Sequence, residues 1–176
     1  MVEALLQVEK TARSQRSQTT KQRNTCYGSQ QLLGTWQLRF ITGTKASRKR
    51  GGVMLAAGKF LPWWLKIQLF YGAGDLADGQ GTVKNSVQLG LLKISLTGPI
   101  KFYPKTKILA FYFIHMDMYL SGWKFYSGYI SNGKKREEYF YQQSIKEQAF
   151  FTYFLIENNC IATRRKGGRL ALCTKV

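Results

Sequence analysis

The chain has 176 residues, of which 44% are hydrophobic and 14% aromatic, and this composition excludes a wholly disordered polypeptide. Its 27 Lys and Arg against 9 Asp and Glu give a formal net charge of +18, which predicts an anionic partner: nucleic acid, acidic lipid or an acidic protein. Three cysteines are too few for a disulfide scaffold. We recognise neither a signal peptide nor an apolar run long enough to cross a bilayer, so we expect at most a peripheral membrane protein.

Two regions are predicted along the chain. Residues 1–30 form a basic N-terminal arm, and residues 31–176 form one folded domain. Within the arm, residues 2–13 carry a rough apolar stripe, which is typical of a short helix. Residues 14–30 are rich in Ser, Gln, Thr, Lys and Arg, and this composition predicts a flexible linker.

The folded domain opens with an alternating strand pattern that ends at Ile41. The residues predicted to share its apolar face are Leu32, Gly34, Trp36, Leu38 and Phe40. Alternation of this kind indicates a half-buried strand. The sequence therefore predicts a core that is built around the indole of Trp36.

A Gly-rich basic loop follows at residues 43–52, and such a loop attracts anions, although it lacks the spacing of a nucleotide P-loop. Residues 53–61 are apolar and predict a short helix that ends at Pro62. The adjacent Trp63 and Trp64 suit a membrane interface or the inward face of a lid over a barrel end, and we favour the lid. Arg164 and Arg169 of the last predicted hairpin are further basic candidates. The residues predicted to contact an anion or a membrane surface are Lys45, Arg48, Lys49, Arg50, Lys59, Trp63, Trp64, Arg164 and Arg169.

The rest of the domain consists of short strand patterns separated by turn residues. From the first strand onward there are about ten such segments, including one over residues 136–145. Contiguous hairpins at regular spacing predict an all-β fold: an antiparallel, up-and-down β-barrel with a short N-terminal helix and a short lid helix.

The last hairpin permits a register prediction. If its loop has two residues, Cys160 faces Cys173, and Arg164 faces Arg169. Like charges opposite each other repel unless an anion lies between them; the alternative is two guanidinium groups that avoid each other in water. The residues predicted on the core side are Ile161, Thr163, Leu170 and Leu172.

Arg165 shares the parity of that core side. Near the end of the barrel it is placed to stack on the indole of Trp36, a cation–π contact. The two residues are therefore predicted to close the barrel.

These motifs resemble a known superfamily. Leu33-Gly34-Thr35-Trp36 at the start of a barrel, with a basic residue near its end to cover the indole, resembles the lipocalin-like (calycin) superfamily. More narrowly, the chain resembles the plastid-lipid-associated, or fibrillin, family. The segments that carry this resemblance are Leu5-Leu6, Leu32–Leu38, and the hairpin with Ile161, Arg165, Gly168, Leu170 and Leu172.

The resemblance implies a lipocalin-like barrel and a function. The function is non-enzymatic binding or shielding of a hydrophobic ligand, such as a lipid, fatty acid, prenylquinone or pigment, without a cofactor. It implies a peripheral position at an anionic photosynthetic membrane, on the cytoplasmic side of a cyanobacterial thylakoid or in a plastid.

No catalytic constellation is recognised, and we expect no enzyme. His115 and Asp117 share a strand face, and they form either a base with its orienting carboxylate or a structural hydrogen bond. We favour the hydrogen bond, because no nucleophile can be placed beside them. One histidine and three scattered cysteines predict no metal site.

A barrel with so many aromatic residues holds either an apolar cavity or a core filled by its own side chains, and the sequence leaves both open. The candidate lining residues of such a cavity are Trp36, Leu38, Phe40, Ile67, Leu69, Phe111, Phe113, Phe151 and Tyr153.

Three alternatives to a ligand carrier follow from the charge. One is an RNA-binding module that stacks bases on exposed aromatic residues. Another is a chromophore-handling factor, and the third is an assembly factor that holds an acidic photosynthetic protein. The interleaving of aromatic with aliphatic residues on strand faces favours the carrier, because core residues follow that pattern.

Overall fold

The computed structural model describes residues 1–18, 27–43, 58–74, 79–130, 132–165 and 167–176. These residues include helices α1 (Val2–Gln18), α2 (Tyr27–Leu32) and α3 (Gly133–Tyr139). The strands are β1 (Gly34–Ile41), β2 (Lys59–Phe60), β3 (Leu65–Ala73), β4 (Gln80–Leu89), β5 (Leu92–Tyr103), β6 (Ile108–Phe111), β7 (His115–Leu120), β8 (Trp123–Tyr129), β9 (Ala149–Ile156), β10 (Cys160–Arg165) and β11 (Leu170–Lys175). Four predicted anion-binding residues lie outside the described residues: Lys45, Arg48, Lys49 and Arg50. Residues 53–57 of the helix predicted over residues 53–61 also lie outside them, and the described end of that segment is not helical, because Lys59–Phe60 form β2.

Eight antiparallel strands close into a barrel in the order β1, β3, β4, β5, β6, β9, β10 and β11. The barrel closes where β11 pairs with β1 and places Cys173 opposite Leu38. The interior holds the main core, and its largest fully buried side chains include Trp36, Tyr71 and Tyr153. The predicted all-β fold, an antiparallel β-barrel with a short N-terminal helix, is confirmed.

Trp36 is fixed from two sides. Its indole Nε1 donates a hydrogen bond to the carbonyl oxygen of Leu32, at the end of α2, over 2.7 Å. The ammonium of Lys175 lies 5.3 Å from the centre of the indole ring. The prediction that Arg165 stacks on this indole is wrong, because the guanidinium of Arg165 lies 5.9 Å from the centre of the Phe151 ring.

A second core lies outside the barrel wall, beneath α1. The buried side of α1 carries Leu5 and Glu9, at helical spacing, and Leu5 packs against strand residues that include Phe40 and Phe154. Phe40 belongs to this outer core because a bulge in β1 between Leu38 and Phe40 reverses the parity of the strand. The prediction that Phe40 shares the inner face of Trp36 is therefore wrong.

The closing hairpin has a different register from the predicted one. Cys160 pairs with Thr174 and Arg164 pairs with Leu170, so the loop is one residue longer than predicted. Gly167 and Gly168 have φ angles of 94° and 85°, which glycine adopts without strain. The extra residue turns the side chain of Cys173 into the barrel, and it moves Leu170 and Leu172 to the outer core.

Two further predictions fail in the described residues. The predicted strand over residues 136–145 is instead α3 followed by turns. Trp63 and Trp64 form an exposed turn before β3, so they do not pack inward as a lid.

Candidate functional site: an apolar sheet beyond the barrel

The barrel wall continues past the barrel on one side because β5 has two successive partners on the same edge. Its last residues pair with β6, and its first residues, Leu92 to Thr97, pair with β7. β6 remains next to β9, whereas β7 pairs with β8. We call the resulting five-stranded sheet the extension; its residues are 65–69, 85–89, 92–97, 115–120 and 123–129.

Gly98 marks the place where the extension leaves the barrel. The segment between β6 and β7 crosses β5 there so closely that a Cβ on Gly98 would lie 1.8 Å from the carbonyl oxygen of Tyr112. Ile114 anchors the crossing, since its N–H donates to the carbonyl of Thr97 over 2.9 Å and its carbonyl accepts from the N–H of Ile130 over 2.8 Å. The separation of barrel and extension is therefore fixed by backbone packing.

The extension has one apolar face, which we call the inner face because it continues the interior surface of the barrel. In the strand registers, Leu69, Asn85 and Leu96 form a row beside the buried barrel residues Tyr71 and Val83. Most inner-face side chains are half buried in the described structure. The residues of the inner face are Leu65, Ile67, Leu69, Asn85, Val87, Leu92, Ile94, Leu96, Met116, Met118 and Tyr126.

Asn85 is the one amide on this face. Its Oδ1 is buried and has no hydrogen-bond partner among the described residues. A buried acceptor without a partner costs free energy, about 1–3 kcal/mol, unless something donates to it. The inner face thus combines an apolar surface with one unused hydrogen-bond acceptor.

The opposite, outer face of the extension is polar and basic. Lys66, Lys93 and Lys124 lie in one cross-strand row, and the acid of the described extension is Asp117. The hydroxyl of Ser127 donates to Asp117 over 2.7 Å, and this bond, with the charge of Lys124, lowers the pKa of the carboxyl group.

His115 does not make the hydrogen bond that we predicted. Its Nδ1 lies 3.8 Å from Asp117 Oδ1, and its ring meets Tyr129 edge-on at 5.5 Å. The hydrogen bond to Asp117 comes from Ser127 instead. The cluster joins β7 to β8.

Among the described residues, large side chains are buried in the barrel interior beside the extension. Tyr71 and Tyr153 share a hydrogen bond of 2.8 Å between their hydroxyl groups, and burial raises the pKa of both. Burial likewise raises the pKa of the nearby Cys173 thiol to about 12. A cavity of about 20 Å³ lies beside Tyr71 and Leu32, enough for about one water molecule.

The predicted cavity residues consequently separate into three groups. Trp36, Leu38, Phe111 and Tyr153 are buried in the barrel core, and Phe40 lies in the outer core. The remaining four are half buried and pack against the barrel core: Ile67, Leu69, Phe113 and Phe151. The other inner-face residues lie on β3, β4, β5, β7 and β8, and only the strand pairings bring them together.

The described residues that were predicted to contact anions or a membrane surface differ in their exposure to solvent. Arg164 binds Glu9 of α1 through two hydrogen bonds, one of them 2.7 Å long from Nε, so its charge is neutralised within the protein. Lys59, Trp63, Trp64 and Arg169 are exposed. Among the described residues, no group of three or more His, Cys, Asp or Glu is placed to hold a metal ion.

Comparisons with known proteins add little to these observations. No protein-family model matches the chain, and no curated protein matches it. Among solved structures the chain is similar to a redesigned β-barrel, with 13% sequence identity and a TM-score of 0.41, over 88% of this chain and 99% of that one. A likeness this distant carries no information on function. None of the helices within the described residues is long and apolar enough to cross a bilayer.

Proposed function

We propose that the chain binds a hydrophobic molecule on the inner face of the extension and shields it from water, without catalysis, at an anionic photosynthetic membrane. The observation that carries the proposal is that this face is apolar and only half buried, whereas the described side chains of the adjoining barrel core are buried. Soluble proteins seldom leave a contiguous apolar surface of this kind without an occupant.

The inner face suits an elongated, mostly apolar ligand. Its leucine, isoleucine and methionine side chains run from the end of the extension to the mouth of the barrel, where Phe111 stacks on Phe151 at 4.7 Å and meets Phe113 at 5.2 Å. Asn85 Oδ1 supplies an acceptor for one hydroxyl or N–H group of the ligand. Because the resemblance is to fibrillins, prenylquinones, fatty acids and pigments are the ligands to test first.

The proposal is tested with a matched pair of variants on β7. Met118→Glu places a charge on the inner face, whereas Tyr119→Glu places the same charge on the outer face one residue away. Titration with a fluorescent polyene fatty acid should show at least tenfold weaker binding for Met118→Glu and a change of less than twofold for Tyr119→Glu. Circular dichroism and thermal melting check that both variants are folded.

The native ligand is sought by purifying the protein at high salt and analysing its organic extract by absorbance and mass spectrometry. A stoichiometric lipid, quinone or pigment supports the proposal. An empty extract together with no uptake of the fatty-acid probe contradicts it, and tight, salt-dependent binding of RNA in the same preparation would favour the RNA-binding alternative.

A further inference from the structure

The end of the extension carries a row of exposed bulky apolar side chains. Three turns contribute to this row, which we call the tip: the turn before β3, the β4–β5 turn and the β7–β8 turn. Trp63 is 87% exposed, Leu91 70% and Trp123 83%. The residues of the tip are Trp63, Trp64, Leu89, Leu91, Leu120 and Trp123, and the other three are each at least half exposed.

The strand registers align these turns at one level. Leu65 pairs with Leu89, Leu89 with Leu92, Leu92 with Leu120, and Leu120 with Trp123. At about 4.8 Å between strands, five strands make the tip about 19 Å wide. The β4–β5 and β7–β8 turns lie far apart in the sequence, so only the sheet brings their leucines and Trp123 into one row with Trp63.

A row of lysines lies directly behind the tip. Lys66, Lys93 and Lys124 occupy the next row of the same strands, on the outer face. The ring of Tyr119 lies in this row too, 5.9 Å from the ammonium of Lys93. Long lysine stems reach lipid phosphates while tryptophan and leucine side chains enter the upper acyl region, which is the arrangement found at membrane interfaces.

We infer that the tip inserts into the interface of an anionic lipid bilayer. The tip side chains are at least half exposed along a row of turns, and a fluid bilayer can surround such a row. The three lysines and the net charge of +18 select anionic lipid. Insertion also brings the adjoining inner face close to the lipid. Only this part of the inference, the approach of the ligand-binding face to the bilayer, rests on the proposed function.

The test uses the full chain and vesicles of phosphatidylcholine, with or without phosphatidylglycerol. The double variant Leu91→Ser/Trp123→Ser removes two exposed tip residues. Leu6→Ser, in α1, removes an exposed leucine from the far side of the barrel wall. Vesicle flotation should show at least tenfold weaker binding to anionic vesicles for the double variant and less than a twofold change for Leu6→Ser.

Tryptophan fluorescence gives a second readout, because Trp36 is buried and the other three tryptophans lie in the tip. Lipids with brominated acyl chains should quench wild-type emission in anionic vesicles and quench it much less in neutral ones. Three results would each overturn the inference: wild-type binding by the double variant, equal binding to neutral vesicles, or no vesicle binding by the wild-type chain.

Failure of this inference is distinguishable from failure of the proposed function. The double variant should still take up the fluorescent fatty acid in solution, since the inner face is unchanged. A chain that binds vesicles through its tip but takes up no probe contradicts the proposed function alone, and the reverse result contradicts only the insertion of the tip.

Discussion

Glu9 on α1 and Arg164 on β10 form an ion pair that joins the N-terminal helix to the barrel, 155 residues apart along the chain. Arg164 Nε donates to Glu9 Oε1 over 2.7 Å, and Arg13 Nη2 donates to the same oxygen over 2.8 Å. Both members of the long-range pair are largely shielded from water. The pair therefore fixes α1 over the outer core.

The ion pair predicts a specific acid dependence of stability. Burial alone raises the pKa of Glu9, but the hydrogen bond and charge of Arg164, aided by Arg13, outweigh burial and hold that pKa below its ordinary value of 4.5. A lowered folded-state pKa contributes stability above about pH 4.5, and this contribution is lost as the pH falls through the folded-state value.

Glu9→Gln should lower the free energy of unfolding at pH 7 by about 2 kcal/mol, because Arg164 loses its counter-charge. Urea titrations between pH 7 and pH 3 measure this difference, which should shrink toward the acid end as wild-type Glu9 is protonated. Glu3→Gln, in the exposed first turn of α1, is the control. A constant difference across the pH range would contradict the assigned role of the pair.

The hydrogen bond between Tyr71 and Tyr153 predicts non-additive mutations. Tyr71→Phe leaves the hydroxyl of Tyr153 buried without its partner, and this should cost about 1–3 kcal/mol. Tyr71→Phe/Tyr153→Phe removes both hydroxyl groups and should cost less than the sum of the single variants. Urea denaturation of all four proteins completes the cycle, and strict additivity would show that the two hydroxyl groups do not interact.

The close backbone contact at Gly98 predicts that this position tolerates no side chain. Gly98→Ala places a Cβ against the carbonyl of Tyr112, so the free energy of unfolding should fall by about 3 kcal/mol or more. Gly90→Ala is the control, since an added Cβ there meets no atom within 4 Å, and its left-handed backbone conformation costs only about 1 kcal/mol. Thermal melting compares the two, and equal losses would contradict the close crossing.

Replacement of Asn85 is expected to affect protein stability and ligand selectivity in different ways. Asn85→Leu removes the unpaired Oδ1, so the ligand-free protein should become more stable or remain unchanged. Affinity for a long-chain alcohol should fall about tenfold relative to the matching alkane, because the hydroxyl loses its acceptor. Competition with the fluorescent fatty acid measures both affinities, and an equal effect on alcohol and alkane would exclude Asn85 as the polar contact.

The barrel could be predicted from the sequence because the patterns that indicate it lie within single strands and turns. Alternation around Trp36 and along β3, β4 and β5 assigns each side chain to one of two strand faces, and repeated turns limit the order in which such strands can pair. The basic composition likewise predicts an anionic partner, and this stays a prediction. The fold class, the inward position of Trp36 and the sign of the net charge can therefore be predicted from the sequence alone.

The tertiary structure decided everything that depends on register or on distant partners. One bulge sends Phe40 to the outer core, and one extra loop residue turns Cys173 inward. The antiparallel pairing of β11 with β1 places Lys175, and not Arg165, at the indole of Trp36. The alternating sequence pattern reveals neither the bulge nor the longer loop. A single inserted residue moves every later side chain of the strand to the opposite face. The extension and its tip arise only because β5 changes partners at Gly98, a packing event between segments that the sequence pattern cannot pair.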